Sequence, residues 1–133
     1  MKKLPYLLLL SIILLLPNTL SYAQTDDQWR AFSDNLINAL KSGNEGLQIS
    51  AMQLVVTHAD NVWVHDAVYD IYQIFCNNEN PRVRQLALVT LYRIQNNWVL
   101  QCLCKDVKKE TNPTIKHQML AIIQEQQMVL ASR

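Results

Sequence analysis

This 133-residue chain has little glycine, proline or cysteine, and no large excess of charge. Two glycines cannot build a Gly-rich phosphate-binding loop. Two glycines and four prolines also exclude a collagenous or low-complexity chain. Charged residues make up 17% and the formal net charge is +1, so charge alone gives no reason to expect nucleic acid as a partner. Disorder is excluded from the other side, because half of the residues are apolar. The length fits one domain of modest size and is too short for a multidomain enzyme.

The apolar half is unevenly spread. Lys2 and Lys3 precede an apolar run from Leu4 to Leu16, interrupted only by Pro5 and Ser11. Pro17 and Asn18 end it, and Ser21-Tyr22-Ala23 places small residues where a signal peptidase reads. This layout predicts a secretory signal over residues 1–23, with cleavage after Ala23. The run is shorter than the roughly 20 apolar residues of a membrane span, so no stable span is expected after cleavage. Its short, basic form suits bacterial export, and the expected location is the periplasm or the exterior. The mature chain, 24–133, then has 10 basic and 11 acidic residues, a net charge of −1.

Cys76, Cys102 and Cys104 cannot all pair within one chain. Cys102 and Cys104 would point about 200° apart on a helix at 3.6 residues per turn, so they cannot bridge each other. One C-x-C with no nearby histidine does not make a metal site. The three are expected to be small core hydrophobes, and neither metal nor cofactor is expected.

Every long segment after Ala23 has helical periodicity. Thr25 with Gln28 forms a capping-box pattern ahead of Trp29, Phe32, Leu36, Ile37 and Leu40, and Gly43 is a stop. Asn44 is expected to cap a second helix with Leu47, Ala51, Leu54 and Val55 on one face. Asp60 or Asn61 would cap a third, carrying Val64, Val68, Ile71, Tyr72 and Phe75. Asn80-Pro81 pairs a cap with a first-turn proline ahead of Val83, Ala87, Leu91 and Ile94. Asn96-Asn97 opens a fifth helix from Trp98 to about Lys109. Asn112-Pro113 opens the sixth, with Ile115, Met119 and Ile123. Six helices with short turns give antiparallel neighbours.

Three of these starts repeat: Asn44-Glu45-Gly46-Leu47, Asn80-Pro81-Arg82-Val83 and Asn112-Pro113-Thr114-Ile115, at spacings of 36 and 32 residues. A period in the thirties built from helix pairs signals an α-solenoid. The stretch Asn80-Pro81-Arg82-Val83-Arg84, followed by Ala87, Leu91 and Ile94, resembles the HEAT-type repeats, especially the short bacterial HEAT-like ones. Asn112-Pro113-Thr114-Ile115-Lys116 is a looser copy, and the stretch from Asn44 has Gln48 where Arg84 stands. The resemblance spans about residues 44–126. It departs where the family often has glycines, at Tyr92 and Gln95. The implied fold is all-α, a solenoid of about three antiparallel helix pairs over 24–133. The implied function is a scaffold that binds macromolecules along a concave face, lined by the helices starting at Asn44, Asn80 and Asn112. Arg84, and by position Lys116, are then expected to brace neighbouring turns. In that register Trp63 and Trp98 match, and Cys76 lies about 13 Å along the axis from Cys102, too far for a disulfide.

No catalytic elbow or paired-histidine metal motif is present. The nearest acid/base group is His65, Asp66 and Asp70, on an expected solvated helix face. His58 and His117 are expected at the surface, and Trp63, Tyr69, Tyr72, Phe75, Tyr92 and Trp98 in the core. Charge is split: residues 24–79 carry −6 and residues 80–133 carry +5. Along a solenoid axis this would make one end acidic and the other basic, favouring head-to-tail self-association.

The expected function is therefore a non-enzymatic adaptor in the bacterial envelope with a protein partner. Its candidate contacts are Arg82, Gln85, Arg93 and His117. The alternative is an anionic polymer or lipid surface bound by Lys105, Lys108, Lys109 and Lys116. The enzyme reading would rest on His65, Asp66 and Asp70.

Overall fold

The computed structural model describes residues 18–132, with side chains from Thr25 onward. Among these residues it is all-helical: α1 (Asn18–Lys41), α2 (Glu45–Thr57), α3 (Val68–Asn77), α4 (Pro81–Ile94), α5 (Asn97–Asp106) and α6 (Pro113–Ala131). A single 3₁₀ turn, His65–Ala67, leads into α3. The expected export segment lies outside the described residues up to position 17, and the expected cleavage position after Ala23 falls on the backbone of α1. No described helix is long and apolar enough to cross a membrane.

The local logic is clearest at the three repeated caps. Asn44, Asn80 and Asn112 all hold extended backbone, with φ/ψ of −88/113°, −85/113° and −76/115°. Each side-chain oxygen accepts a backbone N–H of the following turn, from Leu47 at 3.1 Å, Arg82 at 3.0 Å and Thr114 at 3.0 Å. Pro81 and Pro113 then occupy first-turn positions that lack an intrahelical N–H partner anyway. Asn96 caps α5 in the same way.

Short connectors fold α1 onto α2, α3 onto α4 and α5 onto α6, giving three helical hairpins. The second helices form a row, with α2 against α4 and α4 against α6. The first helices follow beside them: α1 touches α3, and Tyr72 of α3 sits 5.2 Å, ring to ring, from Trp98 of α5. One continuous core runs between the two rows, from Leu40 through Met52, Val55, Ile71, Phe75 and Leu88 to Leu103, Ile115 and Met119.

Several expectations require correction. Helix α1 runs through Thr25, which therefore does not cap it. Asp60 and Asn61 do not cap α3. The chain there makes a turn, the Asn61 and Val62 N–H groups donating to the His58 carbonyl. Val62 and Val64 are buried with Trp63 exposed between them, and Trp63 N–H donates to the buried Ser33 hydroxyl at 3.0 Å. Leu47 and Leu54 are exposed, and the buried face of α2 is Ala51, Met52 and Val55. The fifth helix ends at Asp106 rather than Lys109. Of the cysteines, Cys102 is half-buried against the core, while Cys104 is half-buried and Cys76 exposed, and all three are free thiols. Trp63, Tyr69 and Trp98 are exposed too, whereas Tyr72 and Phe75 are buried as expected. His58 ends α2 and is half-buried, between the rings of Trp29 and Phe32 at 5.5 and 6.0 Å.

Candidate functional site: the face of the second-helix row

Counting from each asparagine cap puts equivalent residues of α2, α4 and α6 in register. The buried positions fall mainly three, seven, eight and eleven residues after the cap. Opposite them lies a stripe two, five, nine and thirteen residues after it. On α4 this stripe is Arg82, Gln85, Val89 and Arg93; on α6 it is Thr114, His117, Ala121 and Glu125. The four sequence-nominated residues therefore share one face. Arg82, Arg93 and His117 are exposed, and Gln85 is half-buried. Arg93 stands 3.9 Å from Asp60, a solvent-exposed pair of little energetic weight.

Between α4 and α6 this face opens into a groove of about 320 Å³, lined by Leu88, Val89, Tyr92, Gln118, Ala121, Ile122 and Glu125. The Tyr92 hydroxyl donates to Glu125 Oε1 at 2.9 Å across it. That bond raises the Tyr92 phenol above its ordinary value. Beyond the bridge a second groove of about 320 Å³ continues past Gln95, Asn97 and Gln126 to Val129 and Leu130. The two share Tyr92 and Glu125 and form one channel with a polar crossbar. Beside it, the Gln118 Oε1 atom is buried without a hydrogen-bond partner.

The groove was not legible in the residue pattern. Val89 and Ala121 read as ordinary apolar positions, and only their shared offset of nine from the cap could have marked them. The juxtaposition of α4 with α6 makes them a surface.

A brace underlies the same helices. The Arg84 Nε donates to the Phe75 carbonyl at 2.8 Å, and the guanidinium lies 5.4 Å from the Phe75 ring. Its two terminal nitrogens engage both carboxylate oxygens of Glu110. Gln48, the equivalent of Arg84, donates to the Leu40 carbonyl at 3.0 Å. Both residues thus reach back to the last turn of the preceding helix, the bracing role the resemblance implied for Arg84. Burial pushes the Glu110 carboxyl up, but the Arg84 guanidinium and the Asn112 and Thr111 N–H groups outweigh it and hold the group below the usual carboxylate range. On the other row, burial and a hydrogen bond to Asp106 raise the Tyr72 hydroxyl far above its ordinary value, which keeps it a donor linking α3 to α5.

His65 and Asp66 sit exposed on the 3₁₀ turn, while Asp70 lies in α3 beside a corner formed with Lys41, Gln48 and Asn77. No cluster of His, Cys, Asp and Glu suited to a metal ion occurs among the described residues. Lys105, Lys108 and Lys109 are exposed at the end of α5, but Lys109 lies 3.5 Å from Asp106 and Lys116 is half-buried. No family model, curated protein or solved structure matches this chain.

Proposed function

We propose that this chain is an exported, non-enzymatic HEAT-like adaptor of the bacterial envelope. Its three hairpins stack as a short solenoid, and the face of the second-helix row takes a segment of a protein partner. One observation carries the reading: the channel between α4 and α6, with Val89, Ala121 and Ile122 for apolar contact and the Tyr92–Glu125 crossbar for polar contact. Mixed lining of this kind suits a peptide, whose apolar side chains need burial and whose backbone needs hydrogen bonds. Arg82, Gln85, Arg93 and His117 lie on the same face of the row but outside the channel lining, and would select the partner's charge.

The test is affinity capture from the native envelope with the wild-type chain and with Val89→Glu and Ala121→Glu. Both positions are exposed, so the fold should survive substitution. A reproducible protein partner that both variants lose is expected. Equal capture by the variants, or no reproducible partner, overturns the proposal.

The alternative, an anionic polymer or lipid surface, has the three exposed lysines at the end of α5 in its favour. It predicts salt-sensitive cosedimentation with anionic vesicles, lost in a triple Lys→Gln variant of Lys105, Lys108 and Lys109.

A further inference from the structure

The second-helix row shows what each of its internal contacts buries, and so what its two ends leave open. Three residues after the cap stand Leu47, Val83 and Ile115, with exposures of 52%, 6% and 0%. Ten residues after it, Leu54 is 39% exposed and Thr90 is 0%. Ile122, at the same offset, is half-buried and lines the groove between α4 and α6. These positions face the preceding hairpin, and the first hairpin leaves them most open. Eight residues after the cap the order reverses: Met52 and Leu88 are 0% exposed and Leu120 is 49%. That position faces the following hairpin, and only the last hairpin leaves it open. The terminal apolar residues are thus equivalents of residues that the internal contacts bury or half-bury.

The ends also differ in charge. The first hairpin sets Asp26, Asp27, Asp34 and Glu45 against Arg30 and Lys41, a balance of −2. The last sets Lys105, Lys108, Lys109 and Lys116 against Asp106, Glu110 and Glu125, a balance of +1. The larger −6 and +5 split of the sequence divides between α3 and α4, inside the middle hairpin. It therefore does not lie along the stack. What survives is a shallow gradient of the same sense.

We infer that a second copy of this chain docks head to tail, Leu120 of one copy packing against Leu47 and Leu54 of the next. The contact repeats the internal α2–α4 and α4–α6 contacts, and the end charges attract. Because it is heterologous and does not close on itself, it generates a ladder of oligomers rather than a dimer alone. The inference rests on the stacked-hairpin reading proposed above but not on the partner-binding channel.

The test uses the processed chain in sedimentation velocity across a concentration series, at low salt and at 1 M salt, where the Debye length is about 3 Å. Wild type should reach a weight-average mass at least about twice that of the monomer, and the apolar contact should keep part of this in high salt. Leu54→Lys blocks one end and Leu120→Glu blocks the other, so each variant alone should stay monomeric. Mixed in equal amounts, they retain one intact pair of ends and should form dimers that grow no further. Circular dichroism of each variant checks the fold. A monomer at every concentration overturns the inference, as does a wild-type dimer that never extends, or a mixture that stays monomeric. Val89→Glu should leave the ladder intact, so loss of partner capture and loss of self-association can be told apart.

Discussion

Replacing Arg84 with alanine should be the most costly single surface-polar change in this protein. The Glu110 side chain is 6% exposed and that of Arg84 is 19%, so this pair is largely withdrawn from water. Removing one partner of a buried pair leaves an uncompensated charge and costs about 3–5 kcal/mol. The Asn112 N–H, 2.8 Å from Glu110, remains and softens the loss, which places the expected cost near 3 kcal/mol. The Phe75 carbonyl also loses its donor, worth about 1 kcal/mol. Against a total stability of about 5–15 kcal/mol, Tm should fall by more than about 10 °C. Arg84→Met with Glu110→Gln should recover most of the loss, because no buried charge is then left unpaired. The pH dependence follows from the sign of the shift. The Glu110 pKa is depressed from its ordinary 4.5, so its contribution is present in full above that value and is lost as pH falls through the lower folded value. Urea denaturation of wild type, both single variants and the double variant, at pH 7 and in the acid range, measures all of this. A cost for Arg84→Ala below about 1 kcal/mol would put the pair among ordinary surface ion pairs and refute the reasoning.

Four further outcomes follow from local geometry. Gln95 ends α4 with φ +55°, in the left-handed region where the resemblance places a glycine, so Gln95→Gly should stabilise by about 0.5–1 kcal/mol in thermal denaturation. No gain there would mean the backbone is not strained at this turn. Asn80→Ala and Asn112→Ala should each cost about 1 kcal/mol and agree closely, because the two caps share one geometry. Chemical denaturation showing one cap silent would contradict their equivalence. Tyr72→Phe should cost about 1 kcal/mol by breaking the hydroxyl contact with Asp106, and Cys76→Ser, at an exposed position, should be near neutral in the same assay.

The sequence made some of this fold legible because some signals are local. An asparagine followed by proline and a periodic apolar run fixes a helix start within one turn, so Asn80 and Asn112 could be read directly. Arg84 could be read by its place in the repeat. Burial at the ends of the row could not be read. Leu47 and Leu54 stand at the same offsets as their more buried equivalents, and among the described residues no further hairpin packs on that side of them. The Val62–Val64 segment was obscured because Asp60 and Asn61 offer an equally good cap on paper. The Ser33 hydroxyl, 30 residues away, instead ties that segment to α1. The channel needed the spacing of two helices, which no single helix encodes.

The central claim is that one stacking unit is used three times in an open row. Its most direct test is to insert a second copy of residues 59–94 after Ile94, adding a duplicate of the middle hairpin. An open row accepts the insertion, because Leu88 of one copy then meets Val83 and Thr90 of the other, residue types that internal contacts already bury. The expected result is a monodisperse chain with unchanged helical signal per residue, a single cooperative transition and a Tm no lower than wild type. Aggregation, or loss of the cooperative transition, would show a closed bundle instead and contradict the account.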